Sequence, residues 1–164
     1  IMYKYIGKNI LLGGIYMVHN AVDIAEYIIS FCYRQEKPIT NLQLQKVLYY
    51  VQGYSLALNN SPAFQDEIFV WQYGPVVQSV YDKFCMYAAM PIENDYRIKL
   101  NDHLLEKLIQ IITVQKIDIP VWDLVNQTHN EAPWKYTKQV YGIGSVIPKN
   151  FIKKYFKSLV GNGK

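Results

Sequence analysis

The sequence predicts a mainly α-helical protein, a compact bundle of about six to seven helices with one short extended segment or small β element near residues 67–73. Apolar residues recur at three- and four-residue intervals along most of the chain, which is the helical period. Capping residues and prolines punctuate those runs. Only Glu67-Ile68-Phe69-Val70-Trp71-Gln72-Tyr73 combines β-branched and aromatic residues between polar flanks. With 164 residues, 51% hydrophobic and 18% charged, the composition excludes disorder. A chain of this length buries about two thirds of its unfolded surface and needs neither disulfides nor a structural metal.

Asn20 is placed to cap a first helix with Asp23 and Glu26 in its opening turn and a core face of Ile24, Ile28, Phe31 and Cys32. Lys37-Pro38-Ile39 ends it. Thr40 and Gln43 form a capping box before a longer helix with a Leu44, Val47, Leu48, Val51, Tyr54, Leu58 stripe, stopped by Asn59-Asn60-Ser61-Pro62. Gly53 inside that helix costs roughly 1 kcal/mol relative to alanine, so a close crossing by another element or a ligand is expected there. After the extended segment, Pro75 suits the first turn of a third helix running to Tyr87, with Val76, Val77, Val80, Tyr81 and Phe84 inward. Residues 88–99 read as a loop. Leu100 to Val114 form the next helix, introduced by Asn101, with Asp102 near its positive end. Another opens at Asp118 to Pro120 and runs to His129, a further one or two turns span Trp134 to Tyr141, and Pro148 starts the last helix.

Residues 1–16 faintly imitate a signal peptide, with Lys4 and Lys8 before a short apolar stretch, but that stretch is interrupted by Gly13 and Gly14, lacks a cleavage pattern and is far too short to span a bilayer. Gly13-Gly14-Ile15-Tyr16-Met17 can be encoded as a purine-rich ribosome-binding run before a start codon, which predicts Met17 as the natural start; GGC or GGT glycine codons would contradict this. The expected organisation is a leader over 1–16, a single helical domain over 17–160 and a flexible tail over 161–164. No membrane-spanning segment is expected, and the location is expected to be cytoplasmic.

The net charge of +4 is unevenly placed. Seven lysines and no acid follow Ala132, whereas residues 17–131 hold eight basic residues and all thirteen acids. Such a tail can steer an acidic partner or a nucleic acid, or form a solvated helix face. Cys32 and Cys85 are far apart and read as reduced, buried thiols. His19, His103 and His129 have no partner at metal-ligand spacing, and no phosphate-binding, zinc-hydrolase or serine-hydrolase motif is present. No metal, cofactor or catalytic set is therefore expected.

What remains is a set of polar-aromatic clusters at element junctions. These are Trp71-Gln72-Tyr73-Gly74-Pro75, Thr128-His129-Asn130-Glu131-Ala132-Pro133-Trp134, and Tyr49-Tyr50 with Gln52-Gly53-Tyr54. Tryptophan and tyrosine pair a large apolar face with one hydrogen-bonding tip, which suits both polar seams of a core and anchors for a partner. Trp71 and Trp134 are expected as seams; Tyr73 fits either role.

The same clusters carry a family resemblance. Leu42-Gln43-Leu44-Gln45-Lys46-Val47-Leu48-Tyr49-Tyr50-Val51-Gln52-Gly53-Tyr54, Trp71 to Val77 and Thr128 to Trp134, with Asp23-Ile24-Ala25 and Ile28-Ile29 upstream, resemble the Panacea domain of SocA-like antitoxins and phage-associated GepA-type proteins, in order from about Met17 to Phe156. Val47, Ala132 and Tyr54 depart mildly from the residues usual there. The resemblance implies a non-enzymatic antitoxin, often encoded in prophage or mobile DNA, that binds and neutralises a cognate protein toxin. In one branch it also delivers the toxin to a AAA+ protease. The candidate partner-binding residues are Trp71, Tyr73, Gly74, Pro75, His129, Glu131 and Trp134, with Lys149, Lys153, Lys154 and Lys157 of the basic tail. The alternative is a nucleic-acid-binding regulator of a prophage or mobile-element operon. It is weakened by Arg97 being the one arginine after Lys37 and by the lack of a recognisable base-reading helix.

Overall fold

The run from Leu44 to Leu56 contains almost no stretch polar enough to face water, and the helix it forms becomes the axis of the fold. A computed structural model describes residues 19–161. The expectations for the leader and the Met17 start lie outside the described residues, as does the tail beyond Gly161. The elements are α1 (Ala21–Arg34), β1 (Ile39–Thr40), α2 (Asn41–Leu58), β2 (Phe69–Trp71), β3 (Gly74–Val76), α3 (Gln78–Phe84), β4 (Pro91–Ile92), α4 (His103–Ile117), α5 (Val121–Asn130), α6 (Ala132–Tyr141) and α7 (Lys149–Gly161). The mainly helical prediction holds.

Both predicted caps form. The Asn20 side chain accepts from the Asp23 amide at 2.8 Å. Thr40 Oγ1 accepts from the Gln43 amide while Gln43 Oε1 accepts from the Thr40 amide, closing the capping box at 3.3 and 3.1 Å. Helix α2 buries 14 of its 18 residues, so it is a core helix on every side and not an amphipathic one. α1, α3, α4, α5 and α7 pack around it, with α7 its most extensive neighbour. Phe156 of α7 is ringed edge-on by Tyr49, Tyr50, Tyr54 and Tyr155, with centroids 5.0–6.1 Å away. Edge-to-face pairs of this kind add about 0.5–1.5 kcal/mol each beyond area burial. The Phe156 ring lies directly over Gly53, so a Cβ there would overlap it. This is the close crossing that the glycine implied.

The structure corrects several sequence expectations. The extended stretch shortens to β2, which turns into β3 as an antiparallel hairpin pairing Phe69 with Val76, Val70 with Pro75 and Trp71 with Gly74. Pro75 is thus a strand residue, not the first turn of a helix. Starting α3 at Gln78 sets its inward face at Val80 and Phe84 and moves Tyr81 to the surface, where its ring meets Trp71 edge-on at 4.8 Å. Cys85 is exposed on the 3-10 turn after α3, while Cys32 is buried as expected. The loop over 88–99 contains β4, which pairs with β1 through Ile39–Ile92 and Thr40–Pro91. Asp102 itself caps α4, accepting from the Leu105 amide at 3.0 Å. On its far side β2 is covered by the 144–147 segment: Gly144 N donates to Val70 O at 2.7 Å, Val70 N to Ser145 O at 2.8 Å, and Ile147 N to Ile68 O at 2.8 Å.

The Gly53 crossing yields a direct test. Gly53→Ala gains helix propensity but must displace Phe156, and overpacking of this kind costs about 1–3 kcal/mol. Urea unfolding should show that loss, and Gly53→Ala combined with Phe156→Leu should recover part of it.

Candidate partner-binding site

A helix that is buried on all sides must bury its polar side chains too, and each such group needs a hydrogen-bond partner to avoid a penalty of several kcal/mol. For Gln45, Lys46 and Gln52, helix α2 meets this by reaching out to loop backbone. Gln52 Nε2 donates to Phe64 O at 2.8 Å while its Oε1 accepts from the Ala63 amide at 2.8 Å. Gln45 Oε1 accepts from the Val77 amide at 2.8 Å. Lys46, wholly buried, donates from Nζ to Pro75 O at 3.1 Å. Gln45 and Lys46 together fasten the strand edge and exit of the β2–β3 hairpin to the axis.

The hairpin can come this close because residue 74 is glycine. Its φ of +105° lies in the region that favours glycine, and a Cβ would stand 2.7 Å from Lys46 Nζ and 2.8 Å from Thr128 Oγ1. Burial alone pushes the Lys46 ammonium down to about 7 from its ordinary 10.5; among the described residues no carboxylate offsets the desolvation.

The α5–α6 junction closes over the same region. The His129 ring stacks on Trp134 with centroids 3.9 Å apart, and Trp134 Nε1 donates to Trp71 O at 3.3 Å. His129 Nε2 is buried with no hydrogen-bond partner among the described residues. Burial, then the positive charges of Lys46 and Lys138, lowers the histidine below its usual range and favours the neutral ring. Glu131 Oε1 accepts from the Tyr50 hydroxyl at 2.9 Å. Burial raises this carboxyl, against the lowering pull of Tyr49, Tyr50 and Lys116. Lys116 Nζ sits 3.8 Å above the Tyr50 ring.

The structure thus gathers Gly74, Pro75, His129, Glu131 and Trp134 into one inward-facing joint between the hairpin, α2 and α6; Trp71 contributes its carbonyl to that joint, while its partly buried ring faces Tyr81 at the surface. Tyr73 differs. It projects from the hairpin tip and meets Trp122 of α5 edge-on at 5.5 Å, and both rings are half-exposed or more. Beside them a cleft of about 350 Å³ runs between the hairpin and the start of α2, walled by Trp71, Tyr81 and Val76. The four tail lysines stand on α7: Lys149 pairs with Glu67 at 2.7 Å and Lys157 donates to Asn60 Oδ1 at 3.3 Å. Sequence reasoning missed two residues. Lys46 was legible, because five apolar residues in a row after it, Val47 to Val51, leave the helix no wet side. Trp122 was legible as the aromatic residue off the Leu124, Val125, Thr128 face of α5.

The buried lysine sets a pH dependence. With a folded value near 7 and an unfolded value near 10.5, the unfolded chain holds more protons between them, so stability rises with pH across that window. The limiting slope is about 1.4 kcal/mol per pH unit. Cys32, raised to about 12 by burial, works in the opposite direction once the unfolded thiol ionises near 9. Denaturant titrations should therefore show stability climbing from pH 7 to 9 and levelling above. Lys46→Met should lose most of the climb, leaving the part that comes from Lys116, which burial also lowers. It forfeits the bond to Pro75 O, at about 1–3 kcal/mol, but removes the buried ammonium.

Among the described residues no helix is long and apolar enough to cross a membrane, and no group of acidic, histidine and cysteine residues could hold a metal ion. No curated protein and no solved structure was found to match the chain. A family model described as antitoxin SocA-like, Panacea domain matches residues 44–135, from the buried axis through the hairpin and the α5–α6 junction. The chain belongs to the SocA-like antitoxin, Panacea domain family.

Proposed function

We propose that this chain is an antitoxin that neutralises a cognate protein toxin by binding it. The observation that carries the reading, together with the family, is the division of labour at the hairpin. Its ionisable neighbours Lys46, His129 and Glu131 are turned inward to hold the joint, while Tyr73 and Trp122 present a paired aromatic surface outward. Aromatic pairs beside an apolar cleft are what protein interfaces use as anchors. Lys46 and Glu131 are hydrogen-bonded within the joint and His129 is stacked on Trp134, which supports a part in holding the hairpin in place. Delivery of the captured toxin to a AAA+ protease is compatible with the same surface, and toxin half-life in cells with and without the antitoxin distinguishes delivery from masking.

The nucleic-acid reading draws on the tail lysines, yet two of them are engaged by Glu67 and Asn60. Any DNA contact would be mostly to phosphate and would weaken steeply with salt.

The test compares stability with binding. Trp134→Ala should cost about 3–5 kcal/mol in unfolding free energy, as large aromatic truncations in cores do, and Trp71→Ala, whose ring is only partly buried, should cost less. Tyr73→Ala and Trp122→Ala should change stability by no more than about 1 kcal/mol while weakening capture of the protein encoded by the adjacent gene. Unchanged capture by both surface variants would overturn the assignment of this face.

A further inference from the structure

Helix α6 is docked on the body by Pro133, Trp134 and Thr137 and leaves the rest of its surface uncovered. On that free surface and the turn that follows, Tyr136, Val140, Tyr141 and Ile143 lie within eight residues of one another and are 53% to 73% exposed. Single exposed apolar residues are ordinary, but Tyr136 and Val140, four apart, share one face of the helix, and with Tyr141 and Ile143 at its end they make a cluster of the kind that marks an interaction site. The backbone beneath them is fixed. Gly144 and Ser145 are hydrogen-bonded to Val70 of β2, the Ser145 hydroxyl donates to Gly142 O at 2.6 Å, and Gly142 N donates to Lys138 O at 2.9 Å. A rigid apolar knob loses little conformational freedom on binding, which favours affinity.

The charge carried by the helix itself has one sign. Lys135 and Lys138 stand on the same helix, with Lys138 Nζ held 4.6 Å from the Trp134 ring, and the described chain from Ala132 onward contains no carboxylate side chain. We propose that the outer face of α6 and the Gly142–Ser145 turn form a second docking surface, fitted to a partner protein that presents an apolar patch flanked by carboxylates. This rests on the reading of the chain as a protein-binding antitoxin, and makes α6 the surface that orients the toxin by charge. Protein is favoured over nucleic acid because phosphate contact has no use for Val140 and Ile143, and because arginine, the usual bidentate phosphate ligand, is absent from the face.

The experiment uses the full chain and the protein encoded by the adjacent gene. Calorimetric affinity is measured for wild type, for Val140→Glu with Ile143→Glu, and for Lys135→Glu, with thermal melts as fold controls. Wild type should bind. The double variant, at exposed positions, should melt as wild type does and bind at least tenfold more weakly. Lys135→Glu should slow association several-fold and flatten its dependence on salt. If wild type binds and the double variant binds equally well, the α6 surface is wrong and the antitoxin reading stands. If wild type does not bind at all, both fail. Binding of a 30-base-pair duplex or of phosphatidylglycerol vesicles that the double variant abolishes, with the protein complex intact, would assign the face to those ligands instead. A wild-type dimer in sedimentation that the double variant dissociates would assign it to a second copy of the chain.

Discussion

The structure depends on one constraint: helix α2 is surrounded by protein on every side, so each of its polar side chains must find a partner away from water. A buried amide or ammonium left unmatched would cost a large fraction of the stability of a domain this size. Gln45, Lys46 and Gln52 meet the constraint by taking loop backbone as partner, and in doing so they set where the hairpin and the Ala63–Phe64 segment lie. Hydrophobic burial holds the helices together without direction. The directional information is in these bonds, which is why the loops of a helical bundle are placed as firmly as its helices.

The placement carries outward. Because Lys46 and Gln45 hold the Gly74–Val77 segment, the carbonyl of Trp71 is positioned for the Trp134 indole, which in turn brings α6 against β2. The same strand receives the 144–147 segment on its other side. Tyr73 and Trp122 on one surface and the α6 knob on another are therefore presented by a single rigid unit built from the axis. The proposed toxin-binding role calls for such rigidity.

Much of this was legible in the sequence where the signal is local. The Asn20 cap, the Thr40–Gln43 box and the Gly53 crossing follow from short-range chemistry and all appear. The errors arose where tertiary bonds compete with local preference. Pro75 is a good first-turn residue, yet Gly74 and Pro75 are drawn into a strand because Gln45 and Lys46 offer partners to that segment's backbone. Tyr81 then rotates outward. Cys85 and the β1–β4 pairing were missed because neither the exposure of a 3-10 turn nor a two-residue strand leaves a periodic trace. Within the site, the residue types at the junctions were visible, but whether each pointed in or out was not: that is decided by the position of α2, whose Tyr50 lies 81 residues in sequence from the Glu131 it bonds.

The most direct measurement is native-state hydrogen exchange at the amides of Ala63, Phe64 and Val77, the three loop N–H groups that α2 side chains accept from. If the axis holds the loops, these amides exchange only when the domain unfolds as a whole, with protection matching that of Val51 in the centre of α2. Exchange orders of magnitude faster than at Val51, with α2 itself still protected, would show that the loops open independently and would contradict the account.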